Sequence, residues 1–437
     1  MAAAGISLKS IEISGLFGRP TFAIHLDPKQ PTILTGANGT GKSTILRIIN
    51  ALANSDVIPL ASAPLERLTL QMDGLETFVM TKSDSNGFDL SWGERKGRLE
   101  VSSRVLDLPV WSRQLLEESR FDVEEALERM SELAGTSGLP FAEFVAAREG
   151  LVGTRGNGPV LKTPDWLPEF GAVFPVLYVS DQRLVTERAG KRRRGAPARQ
   201  RTSSLAVESA AFEISEEIER AFSQYGRTSQ QLDRSFPQTV IKAMSGHQTV
   251  SSERLRELVD HVERKRESLR AVGLLEPDAF GPNIVPDYFE DESLNMVMNA
   301  VLHSTLQKFD VLNDLERRLT SLKAFLDNRF ASKSLVLSRG EGMRFVSDTD
   351  QEIRPAQLSS GEQQMMVLAY EILFRAKPNT LVIVDEPELS LHVLWQDSLI
   401  DDLTSMGNIA GLQFLMATHS PTILAEHPEL ERALSSR

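Results

Sequence analysis

Short apolar runs bounded by turn residues alternate with longer stretches of helical period, the pattern of an α/β protein. The run Thr32-Ile33-Leu34-Thr35 reads as a buried strand. It feeds a glycine-rich turn and then a helix over Ser43–Ala53, with Ile45, Leu46, Ile48, Ile49 and Leu52 mostly on one side. Leu381-Val382-Ile383-Val384 is a second buried strand, Leu412–Ala417 a third, and Phe174–Ser180 a fourth. Residues 7–35 open with two further strands around the turn Gly15–Pro20. Three candidate strands, Arg67–Met72, Thr77–Lys82 and Phe88–Trp92, are separated by Asp73-Gly74 and Asn86-Gly87, both strong turn signals, and predict an antiparallel subdomain.

The middle is different. Residues 104–150 have helical character, and Gly150–Pro168 is punctuated like a connector. From Leu205 to Phe330 the chain is mainly helical and too long to be a connection inside one lobe. Leu294, Met298, Val301, Thr305, Lys308, Leu312, Leu315, Leu319, Leu322 and Leu326 alternate spacings of four and three, a coiled-coil rhythm faulted at Lys308. No equally regular partner precedes it, so a packed helix of a helical lobe is favoured over a long arm. The expected division is 1–103, first part of a head with its β-subdomain; 104–173, helical segment and connector; 174–204, head strand and basic loop; 205–332, helical insertion; and 333–437, second part of the head.

Composition narrows the chemistry. The 437 residues include no cysteine, which excludes disulfides, thiolate catalysis and cysteine-held metal. No apolar stretch approaches a membrane span, and the start carries no secretory pattern, so a cytoplasmic location is expected. The formal charge of −12 argues against wholesale coating of nucleic acid. The exception is Arg183–Arg201, a basic run that suits a DNA or RNA backbone, an acidic partner, or simply solvent.

The turn after Thr35 is Gly36-Ala37-Asn38-Gly39-Thr40-Gly41-Lys42-Ser43, a phosphate loop in the strand–loop–helix context it requires. Gly36, Asn38, Gly39, Thr40 and Gly41 bring backbone N–H groups to phosphates, and the helix start through Thr44 adds a field favourable to anions. Lys42 should reach the β- and γ-phosphates, and Ser43 should ligate Mg²⁺. The strand 381–384 delivers Asp385 and Glu386 to its C-terminal end. There an aspartate can hold Mg²⁺ through water while the glutamate polarises an attacking water. Such a pair alone would be an N-cap and a solvated charge; with the phosphate loop it reads as an ATPase site. Ser360 and Gly361 head the amphipathic stretch Glu362–Ala376 and form a second anion-binding helix start.

These landmarks resemble a known family. Ser359-Ser360-Gly361-Glu362-Gln363 looks like the ABC-type signature, Asp385-Glu386 like the Walker B end, Glu388-Leu389-Ser390-Leu391-His392 like the D-loop, and Thr418-His419-Ser420-Pro421 like the switch histidine. With Gly15-Leu16-Phe17-Gly18 and the run on to Trp395-Gln396, the finer pattern resembles ATPases of the overcoming-lysogenization-defect class, whose relatives include the ATPase subunits of Septu, retron and PARIS anti-phage systems. The resemblance covers roughly residues 5–60 and 335–425.

It implies an ABC-type P-loop ATPase head, with ATP and Mg²⁺ as ligands. It also implies a head-to-tail homodimer or higher homo-oligomer in which Ser359, Ser360, Gly361 and Glu362 face the γ-phosphate held by the other subunit. Glu386, His419 and Lys42 would then be catalytic, and Ser43, Asp385 and Gln182 would serve the metal, Gln182 being equally readable as a surface polar residue. Transport is disfavoured, because more than three hundred residues separate Gly41 from Leu358. The chain runs about eighteen residues past His419 with no second acidic cluster, so an effector, expected to be a nuclease, would be separately encoded. The rival is a DNA-clamping ATPase resembling recombination protein F. A scaffold with purely structural ATP is the third reading, and it has no need of Glu386.

Overall fold

The computed structural model describes residues 7–84, 87–101, 161–179, 185–186, 204–245, 250–276, 292–340, 342–389, 391 and 393–434. The chain divides into two compact units. One comprises Met1–Asp181, Ala376–Leu389 and Gln396–Arg437; the other comprises Gln182–Arg375 and Ser390–Trp395.

The first unit is an α/β unit in which the phosphate loop joins a strand of a parallel sheet to the helix Lys42–Asn54. Its parallel sheet has five strands in the order Glu431–Ala433, Thr32–Thr35, Gln413–Ala417, Leu381–Asp385, Val176–Val179. The strands 32–35, 381–385 and 413–417 are buried along their whole length, as their unbroken apolar runs require of a sheet covered on both faces. Register fixes the site: Asp385 pairs with Ala417, and Ala417 with Leu34. The residues that follow, Glu386, Thr418-His419 and Thr35-Gly36, therefore leave the sheet side by side at its C-terminal edge.

A second sheet of seven antiparallel strands runs in the order Phe22–His25, Ser7–Ser14, Arg67–Asp73, Phe78–Asp84, Gly87–Trp92, Arg95–Val101, Leu161–Lys162. The three expected strands are present. A fourth, Arg95–Val101, was not expected: its first residues, Arg95 and Lys96, are exposed, and only Leu99 and Val101 are buried. Leu161–Lys162 and a helix over Leu167–Val173 also occupy part of the stretch read as a connector. Ile45, Leu46, Ile48, Ile49 and Leu52 of the helix Lys42–Asn54 join Phe78, Phe88 and Phe170 in one core, where Phe78 stacks on Phe170 at 4.6 Å.

The second unit is mainly helical, as its periodicity demands. Its longest helix, Ala206–Ser245, has 40 residues and spans about 60 Å. This is the regular partner that the sequence did not reveal, and it packs against the helix Glu292–Asp310. The heptad rhythm of 294–326 is divided between that helix and Asn313–Asp327. Asn313 donates through Nδ2 to Asp310 Oδ1 at 3.0 Å, closing the turn between them. Lys308, the fault in the rhythm, pairs with Asp233 of the long helix at 2.6 Å. A small antiparallel sheet, Lys333–Ser338, Gly342–Ser347 and Glu352–Ile353, precedes the helix Ser360–Tyr370, which passes into a π-helical turn over Glu371–Arg375. Among the described residues no helix is long and apolar enough to cross a membrane.

Candidate nucleotide and metal site

A cleft of about 460 Å³ at the edge of the parallel sheet is lined by Asn38, Gly39, Thr40, Gly41, Lys42, Ser43, Thr44, Glu386, His419 and Phe17. The phosphate loop folds tightly because its glycines permit it. Gly41 has φ +102°, and a Cβ there would lie 2.6 Å from Leu16 Cδ2. Gly36 supplies the carbonyl to which Lys42 Nζ donates at 2.8 Å. Lys42 is only 5% exposed, and burial pushes its ammonium below the ordinary lysine range, a shift that Glu386, Asp385 and Glu388 partly oppose.

Asp385 is buried, and both its oxygens are engaged. Ser43 Oγ donates to Oδ1 at 3.0 Å, and Tyr178 Oη donates to Oδ2 at 3.0 Å. Burial, and next the charge of Asp385, push the Tyr178 phenol up to about 12, so it stays a donor at neutral pH. The Ser43 and Asp385 pair offers hard oxygen ligands suited to Mg²⁺, which takes few protein ligands and relies on substrate phosphates and water for the rest. Among the described residues no group of three or more histidine, aspartate or glutamate side chains is placed to hold a metal ion. The buried Thr40 hydroxyl has no hydrogen-bond partner among the described residues, and with Lys42 and the helix start it gives the loop a surplus of donors fitting an anion.

Glu386 holds φ +46°, a left-handed conformation that costs a non-glycine residue about 1 kcal/mol or more. Its N–H donates to Ala417 O at 2.9 Å, which turns its side chain out of the strand direction and into the cleft. His419 lines the same cleft, with Nε2 3.9 Å from Glu386 Oε1. Glu388 Oε1 accepts from Thr418 Oγ1 at 2.7 Å, His419 N at 2.7 Å and Ser420 N at 3.1 Å.

In the other unit Ser359 caps the signature helix. Ser359 Oγ accepts from Glu362 N at 3.4 Å, while Glu362 Oε2 accepts from Ser359 N at 2.8 Å and Ser359 Oγ at 2.9 Å. Lys333 Nζ reaches both carboxylate oxygens, at 2.6 and 2.7 Å. The Glu362 carboxylate is thus committed to holding the motif, and what the helix start offers a phosphate is its backbone N–H groups, with Ser360 and Gly361 at the first two helical positions. Burial opposes ionisation of Glu362, but hydrogen bonds from Lys333 and Ser359 outweigh it and hold the carboxyl below its usual range.

Gly36, Asn38, Gly39, Thr40, Gly41, Lys42, Ser43, Thr44, Asp385, Glu386 and His419 thus all lie in the first unit, and Ser359 to Glu362 in the second. Gln182, nearly all of Arg183–Arg201, Ser390 and His392 lie outside the described residues. Three participants were not singled out from sequence. Tyr178 had a usable signal, since a tyrosine in a buried parallel strand needs a partner for its hydroxyl. Phe17, 55% exposed at φ +51°, entered the sequence reading as part of a turn and of the motif that carries the resemblance, with no role of its own. Glu388 gave no sign of its three bonds, because its donors lie some thirty residues away.

A family model described as "AAA domain, putative AbiEii toxin, Type IV TA system" matches residues 229–425, a stretch holding the signature, Walker B and switch motifs but not the phosphate loop. No curated protein sequence matches the chain. Among solved structures, it is similar to an Smc head domain with an extended coiled coil bound to the C-terminal domain of ScpA, from Pyrococcus furiosus, at 14% identity, TM-score 0.35, covering 96% of this chain and 91% of that one. It is also similar to an Smc head bound to the C-winged helix domain of ScpA, at 10% identity, TM-score 0.36 and coverage of 96% and 92%. A third is an Smc head with a coiled coil and joint from Pyrococcus yayanosii, at 12% identity, TM-score 0.36 and coverage of 96% and 93%. At these scores the likeness is loose.

Proposed function

We propose that this chain is an ABC-type ATPase that hydrolyses ATP in a dimer with two nucleotides held between subunits, and that the cycle controls a separately encoded effector, a nuclease, in anti-phage defence. The observation that carries the ATPase reading is that Lys42, Ser43, Glu386 and His419 line one cleft, with Asp385 bonded to Ser43, although they come from three separate parts of the chain.

Within this reading the phosphate loop and Lys42 bind and neutralise the triphosphate. Mg²⁺ at Ser43 and Asp385, with Gln182 as a further candidate ligand, would neutralise the β- and γ-phosphate oxygens when bound. Tyr178 orients Asp385 from the side away from Ser43. Glu386 orients and polarises the attacking water, and His419 contacts the γ-phosphate. The 3.9 Å between their tips is too long for a direct hydrogen bond, and both residues line the cleft where substrate would lie. Phe17, exposed at the cleft, offers a ring face on which the base can stack.

Ser359, Ser360 and Gly361 of a second subunit would complete the γ-phosphate site, making ATP both substrate and bridge. Loss of the γ-phosphate then weakens the dimer and moves the helical insertion. The defence assignment follows the resemblance of the motif set to Septu, retron and PARIS ATPases. It is supported by a family description that names a toxin–antitoxin system for the residues 229–425.

The test is a solution mass of wild type and Glu386→Gln, each with and without ATP·Mg²⁺, beside phosphate release. Glu386→Gln should bind ATP, stop releasing phosphate and accumulate as a dimer or a multiple of it, giving bait for the effector. Assembly indifferent to ATP, with phosphate release intact in the variant, would overturn the reading. Salt-sensitive, ATP-dependent duplex binding by the lone protein would favour a DNA clamp instead.

A further inference from the structure

The switch histidine sits in a loop, and loops drift unless something fixes their backbone. Here one carboxylate oxygen does so. Glu388 Oε1 gathers donors from three consecutive residues, Thr418 Oγ1 at 2.7 Å, His419 N at 2.7 Å and Ser420 N at 3.1 Å. The Thr418 hydroxyl also accepts from Ser420 N at 2.9 Å, and Ser420 Oγ donates to Gln396 Oε1 at 2.7 Å. Glu388, the first residue of the D-loop-like segment, and Gln396, beyond its end, therefore both hold the loop that carries His419. Glu388 stands two residues beyond Glu386, whose own N–H is tied to Ala417 O at 2.9 Å.

We propose that Glu388 is a positioning residue for the hydrolysis site: its carboxylate sets the backbone of residues 418–420 so that the His419 imidazole faces Glu386 across the cleft. This rests on the ATPase reading given above. Glu388 does not itself line the cleft. Its second oxygen, Oε2, is buried and has no hydrogen-bond partner among the described residues, so all three bonds fall on Oε1.

That asymmetry separates positioning from charge. An amide oxygen placed where Oε1 lies can accept the same three bonds, whereas a carboxylate drawn back by one methylene cannot reach them. Glu388→Gln keeps reach without charge; Glu388→Asp keeps charge without reach. A metal-ligand, proton-transfer or purely electrostatic role would rank these variants the opposite way.

The experiment measures three things on the full chain: phosphate release, affinity for a fluorescent ATP analogue, and hydrogen exchange at the amides of His419 and Ser420. Glu388→Gln should retain turnover within about threefold and keep both amides protected. Glu388→Asp should lose about ten- to a hundredfold in turnover, the scale expected when a catalytic group is displaced by about 1 Å, with analogue affinity little changed and protection lost. In a His419→Ala background the aspartate substitution should cost little more, because both changes remove the same contribution. Glu388→Gln as slow as Glu388→Asp, losses that multiply with His419→Ala, or protection unchanged in Glu388→Asp would each overturn the proposal. Failure of the ATPase reading looks different: phosphate release would then survive Glu386→Gln, whatever Glu388 does.

Discussion

Ser43 Oγ and Asp385 Oδ1 lie 3.0 Å apart although 342 positions separate them in the chain. One stands in the first turn of the helix after the phosphate loop; the other ends the strand Leu381–Asp385, which lies beside the central strand of the parallel sheet. Their meeting defines where a divalent cation would sit.

Removing either ligand should therefore be read first in metal requirement. Asp385→Asn is expected to raise the Mg²⁺ concentration for half-maximal phosphate release by at least about tenfold, and Ser43→Ala by less. Tyr178→Phe leaves Asp385 Oδ2 without its donor and should cost about tenfold in the same titration, the lower end of the effect of residues that orient metal ligands. A Mg²⁺ curve for Tyr178→Phe that overlays wild type would remove Tyr178 from the site.

Lys42 gives a pH dependence with a definite sign. Burial lowers its pKa in the free protein, so its proton leaves at lower pH than that of an exposed lysine. Bound phosphates favour the ammonium and raise the pKa again. Above the lowered value, ATP binding must take up a proton, and affinity should fall by up to about tenfold per pH unit toward alkaline pH. Lys42→Arg keeps its charge and should flatten that slope, whatever it does to affinity near neutrality; isothermal titration in two buffers of different ionisation heat counts the proton.

Phe17 can be tested by comparing ligands with and without a base. Phe17→Ala should weaken ATP binding by about three- to tenfold, the worth of one aromatic stack, while leaving inorganic triphosphate unaffected. Equal loss for both ligands would show that Phe17 instead supports the loop through its neighbour Gly41.

How much of this the chain disclosed depended on the range of the signal. The phosphate loop, the strand 381–385 and the switch strand were legible because each is local: an unbroken apolar run, then small or charged residues at its C-terminal end. The strand Arg95–Val101 escaped because exposed Arg95 and Lys96 dilute its alternation. The break between Asp310 and Asn313 escaped because the heptad rhythm runs straight through it, whereas the Asn313 to Asp310 and Leu312 N to Phe309 O hydrogen bonds show the chain turning. Glu388 and Tyr178 could not be assigned from spacing, since their roles depend on which strands become neighbours.

The ion pair between Lys333 and Glu362 ties the strand before the signature to the signature's own cap. Glu362 is almost fully buried, so removing Lys333 leaves a carboxylate with only Ser359 to satisfy it. Lys333→Met should destabilise the protein by about 2–4 kcal/mol in urea unfolding near pH 7, somewhat less than stranding one partner of a fully buried pair because Lys333 is partly exposed. The sign with pH follows from the lowered carboxyl pKa of Glu362 in the folded state. Its contribution is fully present above the unfolded-state value and disappears as pH falls through the folded one, so the wild-type advantage over Lys333→Met should shrink under acid. Lys333→Met paired with Glu362→Gln removes the stranded charge and should recover part of the loss. An acid-independent difference between wild type and Lys333→Met would mean that Lys333 acts through packing of its aliphatic stem rather than through Glu362.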